Sequence, residues 1–200
     1  MSRGERWVNV KEEIMKRNII ITVASLFVLS GWANVAVTAS ANSSQGKDSI
    51  SSIRQRYAAI NKNLAKYRLV KKELSGFSTE GGELTAYFDG TEIVKIAATF
   101  NGETNSWFEE FYYRNGRLMF VFRKQEIYDA PMNKVVKTKE NRFYFNNDEL
   151  IRWINENGKE VAASNSEYPG RRTHYLGSSK LFIEGARSRE AMIEGPARTP

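Results

Sequence analysis

Catalysis needs convergent reactive side chains, and this chain of 200 residues offers few kinds of them. It has no cysteine and a single histidine, His174, which stands beside Arg171 and Arg172. Cys–His nucleophilic chemistry is therefore excluded, and a Ser–His–Asp triad would have to recruit His174. Zinc sites built from nitrogen and sulfur ligands lack their material, so no metal and no cofactor is expected. Gly76, Gly81 and Gly82 have neither the spacing nor the lysine of a phosphate-binding loop. Carboxylates are left. Glu109 and Glu110 are neighbours on a predicted strand and so point to opposite faces. Glu109 shares its face with Trp107, Phe111 and Tyr113, surroundings that raise a carboxyl pKa. Hydrolysis of a glycosidic bond would need a second carboxylate about 5–10 Å away, with Glu92 the candidate by register. The plainer reading pairs Glu109 across the strands with Lys95 or Arg123.

The aromatic residues say more than the acids. Along 106–114, Trp107, Phe111 and Tyr113 fall on one face and Phe108 and Tyr112 on the other. Along 117–123, Leu118, Phe120 and Phe122 oppose Met119 and Val121. A sheet wet on one side would alternate to polar residues, and these strands do not. Trp107, Glu109, Phe111, Tyr113, Tyr87, Tyr112 and Tyr144 are the candidate binding residues, and no residue is assigned a catalytic role.

The elements that must position them follow from periodicity. Ile50, Ile53, Tyr57, Ile60, Leu64 and Tyr67 recur in steps of three and four, which predicts an amphipathic helix from Asp48 or Ser49 to about residue 73. After Gly81-Gly82 the period becomes two. Strands are predicted at 83–89, 92–100, 106–114, 117–127, 141–146 and 149–154, paired into hairpins by Gly90-Thr91, Asn115-Gly116 and Asn147-Asp148, turns that tolerate positive φ. The segments beginning Tyr87-Phe88, Tyr112-Tyr113 and Tyr144-Phe145 repeat one pattern of two aromatics, a polar turn and an aliphatic. The expected fold is α+β: an N-terminal helix packed on an antiparallel meander of six or seven strands, as one domain over 48–162. Residues 163–200, rich in Gly, Pro, Ser and Arg, read as a polar, flexible tail with at most a short strand at "KLFIEG".

"YYRNGRL" and "INENGKEV" resemble the Tyr-x-x-Asn-Gly-x-Leu units of bacterial MORN-variant repeat proteins, over residues 87–161. The resemblance implies an array of β-hairpins that acts as a non-catalytic interaction module, and it implies no residue roles.

Residues 1–41 read as a signal peptide. Lys16-Arg17, the apolar run from Asn18 to Val37 and the small residues Ala39-Ser40-Ala41 supply its three regions, with Met15 the expected start and 42–47 a polar linker. An uncleaved anchor is the rival, since the run is just long enough to span a bilayer. Trp32 stands where a lipoprotein's acylated cysteine would be, which excludes lipid anchoring. A periplasmic or secreted location is expected, with membrane contact only through the signal segment. Of the net charge of +7, residues 47–73 hold eight basic against two acidic side chains, whereas 74–167 hold eleven against fifteen. The aromatic strands are thus mildly acidic, which argues against nucleic acid. The expected function is non-catalytic binding of a protein or cell-envelope ligand on an aromatic sheet face. A carboxylate-dependent hydrolase and a structural homo-oligomer subunit are the alternatives.

Overall fold

In the computed structural model, residues 36–129 and 134–196 are described, and the account concerns the unit from Ala41 onward. The signal-peptide reading falls mainly on residues 1–35, outside the described residues. Helix α1 (Ala36–Lys62) is followed by a 3-10 turn at Leu64–Lys66. Then come β1 (Arg68–Ser75), β2 (Gly82–Asp89), β3 (Glu92–Asn101), β4 (Asn105–Arg114), β5 (Arg117–Tyr128), β6 (Val135–Asn146) and β7 (Glu149–Ile154). Helix α2 (Tyr168–Arg187) and β8 (Met192–Glu194) complete the order. The strands form one eight-stranded sheet, β7-β6-β5-β4-β3-β2-β1-β8, antiparallel throughout except that β8 runs parallel to β1. Among the described residues no helix is long and apolar enough to cross a membrane.

The three predicted hairpins are present, and they share a feature that periodicity alone does not reveal. Pairing slips after Tyr87, Tyr112 and Tyr144, so that Val94, Met119 and Ile151 are each an extra residue on the returning strand. Each repeat therefore places its first aromatic and the bulged residue on one face, and its second aromatic and the preceding aliphatic on the other. Tyr112 and Tyr144, with Val94 and Met119, join one core together with Ile53 and Ile60 of α1. Phe88, Tyr113 and Phe145, with Ile93, Leu118 and Leu150, join the second core. The turns take positive φ at Gly90, Asn115, Gly116, Asn147 and Asp148, as the turn chemistry requires.

Several expectations are corrected. The helix stops at Lys62 rather than near 73, because Asn63 breaks it and residues 68–75 pair with β2. Leu64 and Tyr67 still pack in the α1 core, which is why they continue the stripe. Residues 42–47, read as a linker, lie within α1. The sheet has eight strands rather than six or seven, through β1 and β8. The largest difference is the presumed tail. Residues 168–187 form α2, with "KLFIEG" helical, and bury Tyr168, Tyr175, Ser179, Phe182 and Ala186. Those spacings make a helical stripe lying over the second core, so the domain runs well past 162. Composition misled in part because one helix glycine has a local duty. At Gly185 the space a Cβ would need is filled by the side chain of Ile193, so a bare residue lets β8 fold back against the helix. Buried Lys72 fixes that return by donating from Nζ to the carbonyls of Ser188, at 3.0 Å, and Glu190.

Phe182 is 1% exposed and meets Phe77, Phe100 and Phe111. Its replacement by alanine should destabilise the protein by about 3–5 kcal/mol in urea unfolding. A loss below about 0.5 kcal/mol would mean that α2 does not form part of the core.

Candidate functional site

On the α2 face reactive groups converge at the margin of the helix. Trp107 and Glu109 project from β4 toward α2, and Arg123 of β5 stands directly opposite Glu109 in the ladder. Together with Phe77, Phe100, Phe182, Arg171, His174 and Ser178 they line a hollow of about 230 Å³ at the margin of the helix. A second hollow of about 370 Å³ adjoins it, since Arg123 and Arg171 line both. Lys139, Asn141, Trp153, Glu156 and Glu167 are among its walls. The pair reaches the size of ordinary ligand pockets, about 300–1,000 Å³.

Glu109 is 5% exposed, and its Oε1 lies 3.5 Å from Arg123 Nε. Burial pushes its pKa up to about 7, against the pull of the Arg123 cation. Of the sequence alternatives for Glu109, the ion pair with Arg123 is present. Lys95 instead belongs to the opposite face, and the second carboxylate is not at hand. Ala98 is the β3 residue opposite Glu109, which puts Glu92 six residues further along the strand, roughly 20 Å away. Glu92 lines a separate hollow at the turn end, beside Arg56, Asp89 and Arg187. Tyr175 is fully enclosed, and its hydroxyl has no well-formed hydrogen bond. Burial and the charge of Glu109 raise its pKa, while Arg123 and Arg171 oppose them. His174 stands at the rim and is still exposed on one side. Partial burial, then Arg123 and Arg171, lower its pKa.

The other two candidates on this face do not reach a surface. Phe111 is sealed under Tyr175 and Phe182, and the Tyr113 hydroxyl accepts a 3.2 Å hydrogen bond from Ser179 Oγ. The expectation of an open aromatic face is thereby corrected: α2 covers it, and only its margin at Trp107 and Glu109 is hollow. Tyr87, Tyr112 and Tyr144 lie on the α1 face, where the tilted ring of Tyr57 packs against Tyr112 with centres 4.9 Å apart. There Glu110 accepts bonds from Lys95 Nζ at 2.7 Å and the Tyr112 hydroxyl at 2.6 Å, and Asn61 of α1 accepts from Lys95 at 3.2 Å. This network ties helix to sheet around a buried lysine and reads as structural. The residues that sequence reasoning passed over are Arg171 and His174, which were assigned to a tail. The signal that could have found them is the stripe Tyr168, Tyr175, Phe182, which places both on the same turn as Tyr175.

Among the described residues no group of three or more His, Asp or Glu could hold a metal ion. Comparison with protein-family models, with curated proteins and with solved structures finds no significant match to this chain.

A carboxyl whose folded pKa is raised binds its proton more tightly folded than unfolded. The contribution of Glu109 to stability should therefore be greatest below the ordinary carboxylate range and fall as pH rises from about 4.5 to about 7. Glu109→Gln should remove that slope and stabilise the protein at pH 8 by up to the order of 3 kcal/mol. Thermal unfolding of both proteins at pH 5, 6, 7 and 8 checks this. An equal pH dependence in the two would show that Glu109 is ordinarily ionised.

Proposed function

We propose that the protein is an exported, non-catalytic binding protein of the bacterial envelope, holding a small ligand in the cleft between α2 and strands β4–β6. The observation that carries this reading is the convergence of Arg123, Arg171 and Trp107 on a preformed hollow whose floor is the buried Glu109. Trp107, Phe100 and Phe182 supply apolar walls for a flat ligand group, and the two guanidinium groups supply orientation. Export rests on the sequence of residues 1–41, and the hairpin repeat is in keeping with an interaction module of the MORN-variant kind. The hollow replaces the open sheet face as the place of contact. A homo-oligomer built on that face loses its motive, since α2 already covers the aromatic surface.

The hydrolase reading has one specific observation in its favour, the raised pKa of Glu109. A glycosidase would need a second carboxylate within about 5–10 Å. Among the described residues Glu109 is the one carboxylate that lines its hollow. Glu156 and Glu167 in the adjoining hollow are paired with Lys139 at 3.2 Å and Arg171 at 2.9 Å.

A panel of small indole, naphthyl and phenyl-glycoside compounds, titrated against tryptophan fluorescence, tests the reading. At least one should bind and leave unchanged by mass spectrometry, and Trp107→Ala or Arg171→Ala should weaken it by about tenfold or more. Turnover of a glycoside that Glu109→Gln abolishes would establish the hydrolase instead. Undiminished binding in both substituted proteins would move the site elsewhere.

A further inference from the structure

We propose that the α2 cleft selects an organic anion, whose acidic group takes the place of Glu109 on Arg123 with Arg171 as its second cation, and that Glu109 takes up one proton from water as the anion enters. This rests on the binding reading given above and specifies its ligand class and its regulation.

The charges of the cleft motivate the exchange. Lys139 is matched by Glu156 and Arg171 by Glu167, so the balance turns on Arg123 and Glu109. Among the described residues Glu109 is the one ion-pair partner of Arg123, and their contact is long, at 3.5 Å from Nε to Oε1. Arg123 also bears on the Tyr175 hydroxyl, and a guanidinium with five N–H donors still has donors to offer a carboxylate or phosphate, which it binds as a fork. Arg171 is held by an i,i+4 pair whose Glu167 side chain is 58% exposed, an interaction that is weak and exchangeable. It also lies over the Trp153 ring at 5.3 Å, and both residues line the adjoining hollow.

Glu109 cannot follow the exchange as an anion. It is enclosed by Trp107 and Phe111 on its own strand, by Ala98 on β3 and by Tyr175 on α2. Arg123 faces it from β5, and His174 and Arg171 face the same hollow from α2. Once Arg123 turns to the ligand, an enclosed carboxylate without its cation takes its neutral form. The cleft then carries the positive charge of Arg123 against the anion, with Glu109 silent. In the empty cleft the same carboxyl, with its pKa pushed up to about 7, neutralises Arg123 at alkaline pH and releases it at acid pH. Anion binding should accordingly strengthen as pH falls. Burial and the same two arginines lower the pKa of His174, a second ionisable group on the hollow that must be separated from Glu109 experimentally.

The probes are 2-naphthoate and its uncharged counterpart 2-naphthamide, titrated calorimetrically into the whole protein from pH 6 to 8 in two buffers of different ionisation heat. Naphthoate should bind at least about tenfold tighter than naphthamide at pH 6, and its affinity should fall by up to about tenfold per pH unit above 7. The buffer comparison should show about one-half to three-quarters of a proton taken up at pH 7.5. Glu109→Gln should bind naphthoate with little pH dependence and no proton uptake, Arg123→Gln should lose the preference for the anion, and His174→Asn should keep the proton uptake. Equal affinity for both probes would overturn the anion selection and leave the binding cleft standing. Tight naphthoate binding without proton uptake, or uptake that His174→Asn abolishes, would overturn the role of Glu109. Binding of neither probe would remove both the cleft and its selectivity. If Glu109→Gln does not fold, the proton count of the unaltered protein decides.

Discussion

A pleated sheet that is apolar on both sides has to be covered twice, and the rest of this structure follows from that constraint. The repeated hairpins send Tyr112 and Tyr144 one way and Phe88, Tyr113 and Phe145 the other. Neither set tolerates water, because burying each large side chain is worth about 1.5–3 kcal/mol relative to leaving it exposed. Helix α1 closes the first face and α2 the second. With no disulfide available, these two packings carry the fold. The β-bulges matter to both. By adding Val94, Met119 and Ile151 to the returning strands, they put each added residue on the same face as its successor and bring Ile93, Leu118 and Leu150 opposite Phe88, Tyr113 and Phe145.

Covering a wide sheet with one 20-residue helix leaves margins. On the α2 face the margin falls at the far ends of β4 and β5, where Trp107, Glu109 and Arg123 lie beyond the seal that Phe111 and Tyr113 form with Tyr175, Phe182 and Ser179. A carboxylate placed there is enclosed enough to lose its water but has only a loose partner. That is the origin of its raised pKa and of the cleft's mixed character. On the α1 face the corresponding polar residues, Lys95, Glu110 and Asn61, are closely bonded to one another and leave no comparable imbalance. The contrast between a saturated network on one side and an unsaturated pair on the other is the reason for locating function beside α2.

The hairpins were legible because their turns and alternation are local. Asn115-Gly116 demands positive φ, and alternation fixes the faces of 106–114, but on the returning strand the expected grouping is corrected: the bulge at Met119 puts Leu118 with Val121 and leaves Met119 with Phe120 and Phe122. The bulges were not, because a bulge shows in sequence only as two successive apolar residues, Leu118-Met119 or Leu150-Ile151, which a buried strand displays equally. The strand at 68–75 was hidden by Leu64 and Tyr67, which belong to the α1 core while already outside the helix. Helix α2 was hidden by composition. Gly170 and Gly177 have open space around them, Gly185 yields to Ile193, and Pro169 sits at the helix start, where it is tolerated. Trp107 and Glu109 were therefore recognised as candidates from β4 alone. Arg171 and His174 could not be joined to them until the helix that carries them was known.

The account stands or falls on α2 as the second cover of the sheet, since the hollow, the enclosure of Glu109 and the position of Arg171 all derive from it. Backbone hydrogen exchange measures this directly. Amides of residues 173–187 should be protected to about the same free energy as those of central strands β3–β5, as one cooperative unit. Exchange of those amides at unprotected rates, with β3–β5 remaining protected, would contradict it.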